Sequence, residues 1–321
     1  MKKTIYTTLL LVLASVTIIG CSGDNPKQIE SENNPPLESL STTQDEYGKT
    51  ITFDKNQTIN QYTIKADVSK VVINKNITLK GSFKIENRSS DLTIEGQGDS
   101  SVLQGNGGRN HGIEANSKFT IYLKSFKSLN PTYFHMRLIQ TKIVAENVSL
   151  VDTSGNTGKN ADGFSGAGGS TYNNCYVSTW DDSFKIYFGD YSIKNTTIVH
   201  NKNGAPFQMG WDDDGTTANS DLTLENVTVI SNDNSYNQGI FSWAGGSKAQ
   251  TRNIHLKGKG LIFKVNSGKK KAHLYQFGSS NSNKANNKTF IIYGGDANTF
   301  KSTNSNTINK NGSSNNKVVL K

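Results

Sequence analysis

Three aspartates are the residues of this chain best suited to acid–base chemistry. Asp162 precedes Gly163, and the pair Asp181 and Asp182 follows 19 and 20 residues later. Like charges held a few ångströms apart raise at least one carboxyl pKa, which places a protonated acid beside ionised bases near neutral pH. Such a division of labour suits hydrolysis of a glycosidic bond, in which an acid protonates the leaving oxygen and a carboxylate activates water. The same residues could merely form turns. Whether they meet in one site depends on the secondary-structure elements that carry them.

The elements predicted around these aspartates are short β-strands. Alternating runs such as Val71-Val72-Ile73 and Phe119–Leu123 recur from about residue 50, separated by Gly, Asn, Asp and Ser. After the first twenty residues, no segment of helical length has apolar residues at the 3.6-residue period of a helix. The chain is 33% hydrophobic with 30 Gly and 2 Cys, which excludes a disordered chain, a multi-span membrane protein and a disulfide framework.

One phrase, an Asn followed by an alternating β run, returns along the chain and predicts a solenoid. Its members are 27, 21, 31 and 27 residues apart, and a loose period of 20–50 residues is typical of stacked repeats. About three short strands fit into each unit, which is one coil of a right-handed parallel β-helix. Asn at one corner of each coil tolerates a left-handed turn and can hydrogen-bond to its neighbours in the stack. The phrase contains Asn147, Asn174, Asn195, Asn226 and, more weakly, Asn253.

A β-sandwich or meander is the alternative fold. Its hairpins require frequent Asn-Gly or Asp-Gly turns between paired runs. Asn203-Gly204 and Asn311-Gly312 are present, but neither is flanked by two clean strand patterns. We therefore predict an all-β protein with one right-handed parallel β-helix as its single folded domain.

The N-terminal residues are interpreted as a targeting segment. Residues 1–20 combine Lys2-Lys3 with an apolar stretch too short for a permanent span, and small residues precede Cys21. This resembles a bacterial lipoprotein signal, which implies cleavage before Cys21, a lipid on its thiol and a place in the cell envelope. Residues 21–45 are predicted to be a flexible polar tether, and residues 46–321 the β-helix domain.

Charge and the second cysteine carry less information. The net charge is +9, but no nucleic-acid-binding signature accompanies it, so we expect a lysine-coated surface or an acidic substrate, and no nucleic acid partner. Cys175 lies in an alternating run, where a buried structural thiol is expected rather than a nucleophile.

The segment around the aspartate pair resembles the catalytic segment of glycoside hydrolase family 49, which contains dextranases and isopullulanase. The resemblance rests on Asp181-Asp182-x-x-Lys185-Ile186-Tyr187, on Gln208-Met209-Gly210-Trp211, and on Asp162-Gly163 at a similar upstream spacing. It is close over residues 160–211 and weak over about 100–300.

The resemblance implies an inverting polysaccharide hydrolase on a right-handed β-helix, acting on an α-glucan such as dextran, and we expect a monomer without a cofactor or metal. Asp181 is then the general acid, and Asp162 and Asp182 hold and deprotonate the water. The expected substrate-binding residues are Lys185, Tyr187, Gln208 and Trp211. Because adjacent strand residues point to opposite faces, the chain must bend for both members of the pair to face substrate, and we predict that Trp180 anchors the bend by packing inward.

Two differences from the family and two other functions remain open. The chain has no room for the β-sandwich domain of larger members, and His200–Ala205 aligns poorly; both differences bear on the substrate, which the loops around the cleft select. A polysaccharide lyase on the same fold would use a Lys or Arg base, with the acidic run Asp212–Asp214 as a possible Ca²⁺ loop, although a simple turn is the expected role of that run. A non-catalytic glycan-binding module or adhesin is the second alternative.

Overall fold

The structure is a computed structural model, and it describes most of the chain beyond the tether. The described residues are 40–46, 48–108, 110–153, 161–210, 218–232, 239–243, 252–265, 274–278, 287–292, 308–310 and 315–321. All of them belong to one compact unit, residues 34–321. Within these ranges the chain forms strands and turns and no helix, so none of the described segments is a helix that could cross a membrane.

The strands build a right-handed parallel β-helix, as predicted. Each central coil contributes one strand to each of three ladders, which we number in chain order within a coil. The first ladder is a 12-stranded sheet, β1 (Leu40–Asp45), β2 (Gly48–Phe53), β4 (Val68–Ile73), β6 (Leu92–Glu95), β9 (Thr120–Lys124), β12 (Lys142–Glu146), β15 (Thr171–Asn173), β18 (Tyr191–Lys194), β21 (Ala218–Glu225), β24 (Arg252–Lys259), β27 (Lys288–Ile292) and β29 (Lys317–Leu320).

The other two ladders form a single 17-stranded sheet, because they join at the N-terminal end. The strands that join them are β3 (Gln57–Ile64) and β5 (Thr78–Ile85). The second ladder contains β7 (Val102–Gln104), β10 (Lys127–Leu129), β13 (Ser149–Val151), β16 (Tyr176–Thr179), β19 (Thr197–His200), β22 (Thr228–Ser231) and β25 (Ile262–Val265). The third ladder contains β8 (Ile113–Glu114), β11 (Met136–Leu138), β14 (Phe164–Gly166), β17 (Phe184–Ile186), β20 (Phe207–Met209), β23 (Phe241–Trp243), β26 (Tyr275–Phe277) and β28 (Ile308–Lys310).

One antiparallel pair stands at the N-terminal end of the first ladder. Strand β1 pairs with β2, with Leu40 opposite Phe53, and it covers the edge of the first coil. The predicted tether of residues 21–45 was therefore too long at its C-terminal end, since residues 40–45 form this strand. The hydrogen bonds of an edge strand outweigh the polar composition of the segment.

A stack of aromatic rings fixes the register of the third ladder. The first residues of five successive strands pair directly, and their neighbouring ring centroids are 5.3, 6.0, 5.0 and 5.9 Å apart. Burying such a ring contributes about 1.5–3 kcal/mol, so a slip of one residue, which would turn all the rings outward, is strongly disfavoured. The stack consists of Phe164, Phe184, Phe207, Phe241 and Tyr275, all buried.

The predicted asparagine corners are confirmed for four of the five phrases. Asn147, Asn174, Asn195 and Asn226 all have a positive φ, between 48° and 55°, just before the second ladder. Asn174 Nδ2 donates to Asn147 Oδ1 at 2.6 Å, and Asn226 Nδ2 donates to Asn195 Oδ1 at 3.1 Å.

The fifth phrase was interpreted wrongly. Asn253 lies inside β24, where its amide donates to Asn219 Oδ1 at 2.8 Å. The corner of that coil is Gly260, with φ of +64°, and a Cβ there would overlap the Asn226 amide oxygen. Glycine thus replaces asparagine where the left-handed turn also lacks space for a side chain.

Cys175 is buried, as expected from its strand pattern. Burial raises the pKa of its thiol to about 12, and a thiol with so high a pKa is protonated and chemically inert at neutral pH.

Candidate active site

The three aspartates meet at the N-terminal ends of β14 and β17, two adjacent strands in the middle of the third ladder. Phe164 of β14 pairs with Phe184 of β17, so the residues before these strands are stacked as well. Gly163 N donates to Asp182 O at 2.8 Å, and Asp181 N donates to Ala161 O at 3.4 Å. The prediction that a spacing of about 20 residues equals one coil is therefore confirmed at this position.

A bend between β16 and β17 lets both members of the pair contribute to one cluster. The hydroxyl of Thr179 donates to Asp181 O at 3.2 Å and lies 3.1 Å from Ser183 Oγ. Asp182 N closes the bend by donating to Asp181 Oδ1 at 3.0 Å. Trp180 is half-buried, with its Nε1 buried, and its role as an anchor of the bend stays a prediction. The hydrogen bonds of the turn come from two buried hydroxyl residues, Thr179 and Ser183.

The carboxylates form a compact and nearly closed cluster. One oxygen of each residue can be chosen so that all three lie within 4.8 Å of one another. Asp162, Asp181 and Asp182 are only 1%, 6% and 4% exposed. Three negative charges at that spacing and burial repel one another strongly, so the cluster needs a cation, protons or both.

Lys185 supplies the cation. Its Nζ lies 2.8 Å from Asp162 Oδ2 and 3.5 Å from Asp182 Oδ2, and it sits 4.4 Å above the centroid of the Phe134 ring. Burial by itself would lower the pKa of Lys185, but the charges of Asp162 and Asp182 outweigh it and raise that pKa above its ordinary value. The ammonium therefore stays charged and compensates one of the three carboxylates.

Protons compensate the remaining negative charge of the cluster. Burial raises the pKa of Asp162 to about 7, against the pull of the nearby Lys185 charge. Burial, followed by the charge of Asp181, also raises the pKa of Asp182 well above its ordinary range. At neutral pH the pair Asp162 and Asp182 thus holds a proton, which is the condition for acid catalysis.

The next coil holds the aspartate pair through a segment that sequence reasoning missed. Asn203 Nδ2 donates to Asp181 Oδ2 at 2.7 Å, and Ala205 N donates to Asp182 Oδ1 at 2.9 Å. Between them Gly204 has φ of +65°, and a Cβ there would overlap Oδ1 of both aspartates. The Asn203-Gly204 dipeptide was the available signal. It forms the turn that approaches the carboxylates rather than a hairpin.

The predicted substrate-binding residues are partly brought together. Tyr187 is buried near the Lys185 ammonium, with which it interacts electrostatically. Gln208 pairs with Lys185 in the third ladder and is 1% exposed. Trp211 and the Asp212–Asp214 run lie outside the described residues, as does the predicted lipidation residue Cys21.

The carboxylate cluster also has the donor set of a site for a hard cation such as Ca²⁺ or Mg²⁺. The Lys185 ammonium already lies within ion-pair distance of two of the three carboxylates. A metal ion would have to displace that ammonium, so the cluster suits acid–base chemistry better than metal binding.

A comparison of the chain with models of known protein families gave no match, and a comparison with curated proteins gave none either. The likeness to glycoside hydrolase family 49 therefore rests on the residues named above.

Proposed function

We propose that this protein is a glycoside hydrolase that cleaves a polysaccharide at the cluster of Asp162, Asp181 and Asp182. The observation that carries the proposal is that three carboxyl groups meet at the N-terminal ends of β14 and β17, with one oxygen of each within 4.8 Å of the others. The Lys185 ammonium lies beside them. The family resemblance adds the substrate class, an α-glucan such as dextran cleaved within the chain. We further propose a monomer, and the separate resemblance of the N-terminus to a lipoprotein signal supports anchoring to the bacterial envelope by a lipid on Cys21.

The chemistry needs an acid and a base in one site. In our proposal the acid protonates the departing glycosidic oxygen while an ionised carboxylate takes a proton from the attacking water. The resemblance gives the acid role to Asp181. The electrostatics support a different assignment, because burial raises the pKa values of both Asp162 and Asp182. We therefore propose that the proton comes from the Asp162–Asp182 pair and that Asp181 is the base.

The family resemblance implies that the anomeric configuration is inverted. The carboxyl groups of inverting enzymes are usually ~6.5–9.5 Å apart, whereas those of retaining enzymes are ~5–5.5 Å apart. The 4.8 Å in this site is the largest distance between chosen oxygens, one from each carboxyl group, whereas the two ranges above describe the separation of whole carboxyl groups. Inversion stays our proposal, and NMR of the sugar released at early times tests it directly.

The state of Lys185 argues against the lyase alternative. A lyase needs a neutral base to remove a proton next to a uronate carboxyl group. Both neighbouring carboxylates raise the pKa of Lys185, so it is a poor base at neutral pH.

Single Asp→Asn variants test the proposed function. We expect Asp162→Asn, Asp181→Asn and Asp182→Asn to lose at least 10²–10⁴-fold in turnover of a glucan, because each removes an acid–base group and keeps the shape. Reducing ends and absorbance at 235 nm are measured together, since only a lyase produces the absorbing product. The acid variant should retain the most activity on an activated aryl glycoside, whose leaving group needs little protonation, and this assigns the acid.

The exposed Asp54, far from the cluster along the chain, offers the matched control Asp54→Asn. It should keep full turnover. If all three site variants kept near-normal rates, the proposal would be wrong, and the cluster would be a charge-compensated part of a glycan-binding or adhesive solenoid.

A further inference from the structure

An open cavity of about 300 Å³ lies at the asparagine corners, where the first ladder passes into the second. We call it the corner cavity. It is separate from the carboxylate cluster: Tyr176 begins β16 and lines the corner cavity, whereas Asp181 follows the other end of that strand, five residues later. Five extended residues span at most roughly 18 Å, so one polymer chain can reach both places.

Tyr176 is the aromatic residue of the corner cavity. Its side chain faces the outside of the second ladder, because the next residue, Val177, is buried in the core. Its exposure of 41% makes it one of three large hydrophobic side chains that are exposed among the described residues. Ser149 and Thr197 pair with it on the two neighbouring coils, and both line the cavity. An exposed ring thus lies between two hydroxyl-bearing residues.

The row of asparagine corners is interrupted at this cavity. Asn147 Oδ1 accepts from Asn174 Nδ2 at 2.6 Å, whereas Asn195 Nδ2 donates to Asn173 Oδ1 at 2.9 Å instead of to Asn174. Within the described ranges, Asn174 Oδ1 therefore has no donor and Asn147 Nδ2 no acceptor. Both residues line the cavity, which accordingly offers a ligand one amide acceptor and one amide donor.

Asp99 reaches the corner cavity from the turn between β6 and β7. Its Oδ1 accepts from Ser149 Oγ at 2.8 Å, and its Oδ2 lies 3.9 Å from Lys127 Nζ. These contacts hold the carboxyl group at the cavity, although the side chain is 63% exposed. A carboxyl group held in this way accepts hydrogen bonds from the hydroxyl groups of a sugar and disfavours an anionic ligand.

We infer that the corner cavity is a non-catalytic binding site for a neutral, hydroxyl-rich glycan. A sugar ring presents apolar C–H groups, which suit the ring of Tyr176, and hydroxyl groups that both donate and accept, which suit Asp99, Asn147 and Asn174. The inference goes beyond the proposed function, because binding here needs no cleavage. Where a glucan is also cleaved, a site within ~18 Å of the cluster keeps the polymer near it and raises its effective concentration.

Affinity electrophoresis measures this binding directly. The full-length protein is run in the cold through native gels that contain increasing concentrations of dextran. We expect dextran to retard the wild type, and Tyr176→Ala to weaken the apparent affinity at least about 5-fold, because the variant loses the aromatic surface. Tyr176→Phe keeps the ring and should bind like the wild type. Equal retardation of wild type and Tyr176→Ala, or no retardation of either, would overturn the inference.

Two further variants test the site's position and its ligand class. Tyr122→Ala removes a half-buried tyrosine from the first ladder and is the matched control, which should leave retardation by dextran unchanged. Asp99→Asn removes the carboxyl group at constant size and should weaken dextran binding roughly 2–10-fold. The same gels are repeated with polygalacturonate. Retardation by this polyanion that depends on Tyr176 as strongly as retardation by dextran would overturn the preference for a neutral glycan.

Kinetics keep this inference distinct from the proposed function. If the protein hydrolyses dextran, Tyr176→Ala should raise KM for the polymer, while KM for isomaltotriose and both kcat values stay unchanged, because the corner cavity lies away from the reacting atoms. If the protein hydrolyses no glucan but its retardation by dextran depends on Tyr176, the site stands and the hydrolase proposal falls. If dextran is hydrolysed and Tyr176→Ala binds and reacts like the wild type, the hydrolase proposal stands and the site falls.

Discussion

Two histidines near the carboxylate cluster, the buried His135 and the partly buried His111, are held neutral. His135 N donates to Asp162 O at 2.7 Å, and its ring Nδ1 lies 2.8 Å from Ser128 Oγ. Burial lowers the pKa of His135 to about 3. Burial and the charges of Arg137 and Lys185 lower the pKa of His111 equally far, to about 3. The site thus combines two carboxyl groups whose pKa values are raised, Asp162 and Asp182, with two imidazoles whose pKa values are lowered.

These opposite shifts should nearly cancel in the pH dependence of stability. Between its ordinary pKa of 3.8 and about 7, folded Asp162 keeps a proton that the unfolded chain has lost, so its contribution falls as pH rises. Between about 3 and 6.5, unfolded His135 binds a proton that the folded form does not, so its contribution rises with pH. The two slopes oppose each other over most of this range.

The variant Asp162→Asn should reveal the histidine contribution. Replacing Asp162 removes its falling contribution, so the free energy of unfolding should climb with pH more steeply than in the wild type, by up to about 1.4 kcal/mol per pH unit. Urea unfolding at pH 4.5, 5.5 and 6.5 measures the slope. Asp54→Asn is again the control. Parallel pH curves for Asp162→Asn and wild type would mean that Asp162 is ionised throughout this range.

The aspartates and Lys185 could be predicted from sequence because the chemistry depends on residue type and one interval. A separation close to one coil needs only the period of the solenoid. Asn203, Gly204 and Thr179 could not be predicted as part of the site, because their roles depend on how a turn of the next coil bends toward the carboxylates. Such short loops have no period, and a family comparison aligns them poorly for the same reason.

At the scale of the elements, the asparagine corners join each coil to the next. Asn195 Nδ2 donates to Asn173 Oδ1 at 2.9 Å, and its own Oδ1 accepts from Asn226 Nδ2. Its partner below is thus Asn173, the last residue of β15, and not the corner residue Asn174. The ladder shifts by one residue there, and the two adjacent asparagines between β15 and β16 make the shift possible.

Two substitutions at Asn195 separate the conformational role from the hydrogen bonds. Asn195→Gly keeps the left-handed turn, with φ of 48° in the native protein, but loses both amide contacts. Because the corner is exposed, we expect a loss of about 1 kcal/mol or less. Asn195→Ala adds a left-handed penalty of about 1–2 kcal/mol, so its melting temperature should be the lowest of the three proteins. Equal melting temperatures for Asn195→Gly and Asn195→Ala would show that the left-handed turn imposes no conformational requirement on the residue at this corner.

Strand existence was predictable from alternation, whereas strand limits and corner identity were not. The apolar–polar period identifies β12, β16 and β19 directly, since their inward residues are buried. The Asn253 phrase has the same local pattern as a corner, yet it lies inside the eight-residue strand β24, because pairing with β21 and β27 extends the strand past it. Long-range pairing overrode the local signal, as it did in β1.

At the scale of the whole molecule, the protein carries +9 overall, although its candidate site brings together three carboxyl groups. Some of the surface lysines are engaged in ion pairs, such as Lys194 and Lys259 with Glu225, at 3.2 and 2.6 Å. Exposed pairs of this kind contribute little stability.

The predicted attachment to a membrane is tested on the whole protein. If Cys21 carries lipid, the mature protein should begin at that residue and partition into the detergent phase of a Triton X-114 separation. Cys21→Ala should appear in the aqueous phase or accumulate with its signal uncleaved, because the thiol that is modified is gone. Cys175→Ala is the matched control and should leave partitioning unchanged. Unchanged partitioning of Cys21→Ala would argue against lipidation.

The asparagine corners also determine how the molecule would yield to a pulling force. Each coil is bonded only to the coil above and the coil below, so tension on the chain detaches coils one at a time from an end. Successive corners at Asn147, Asn174, Asn195 and Asn226 are 27, 21 and 31 residues apart. Each detachment therefore releases roughly 70–110 Å of extended chain. The protein would lengthen in unequal steps, and the order of the steps would report which coil had come away.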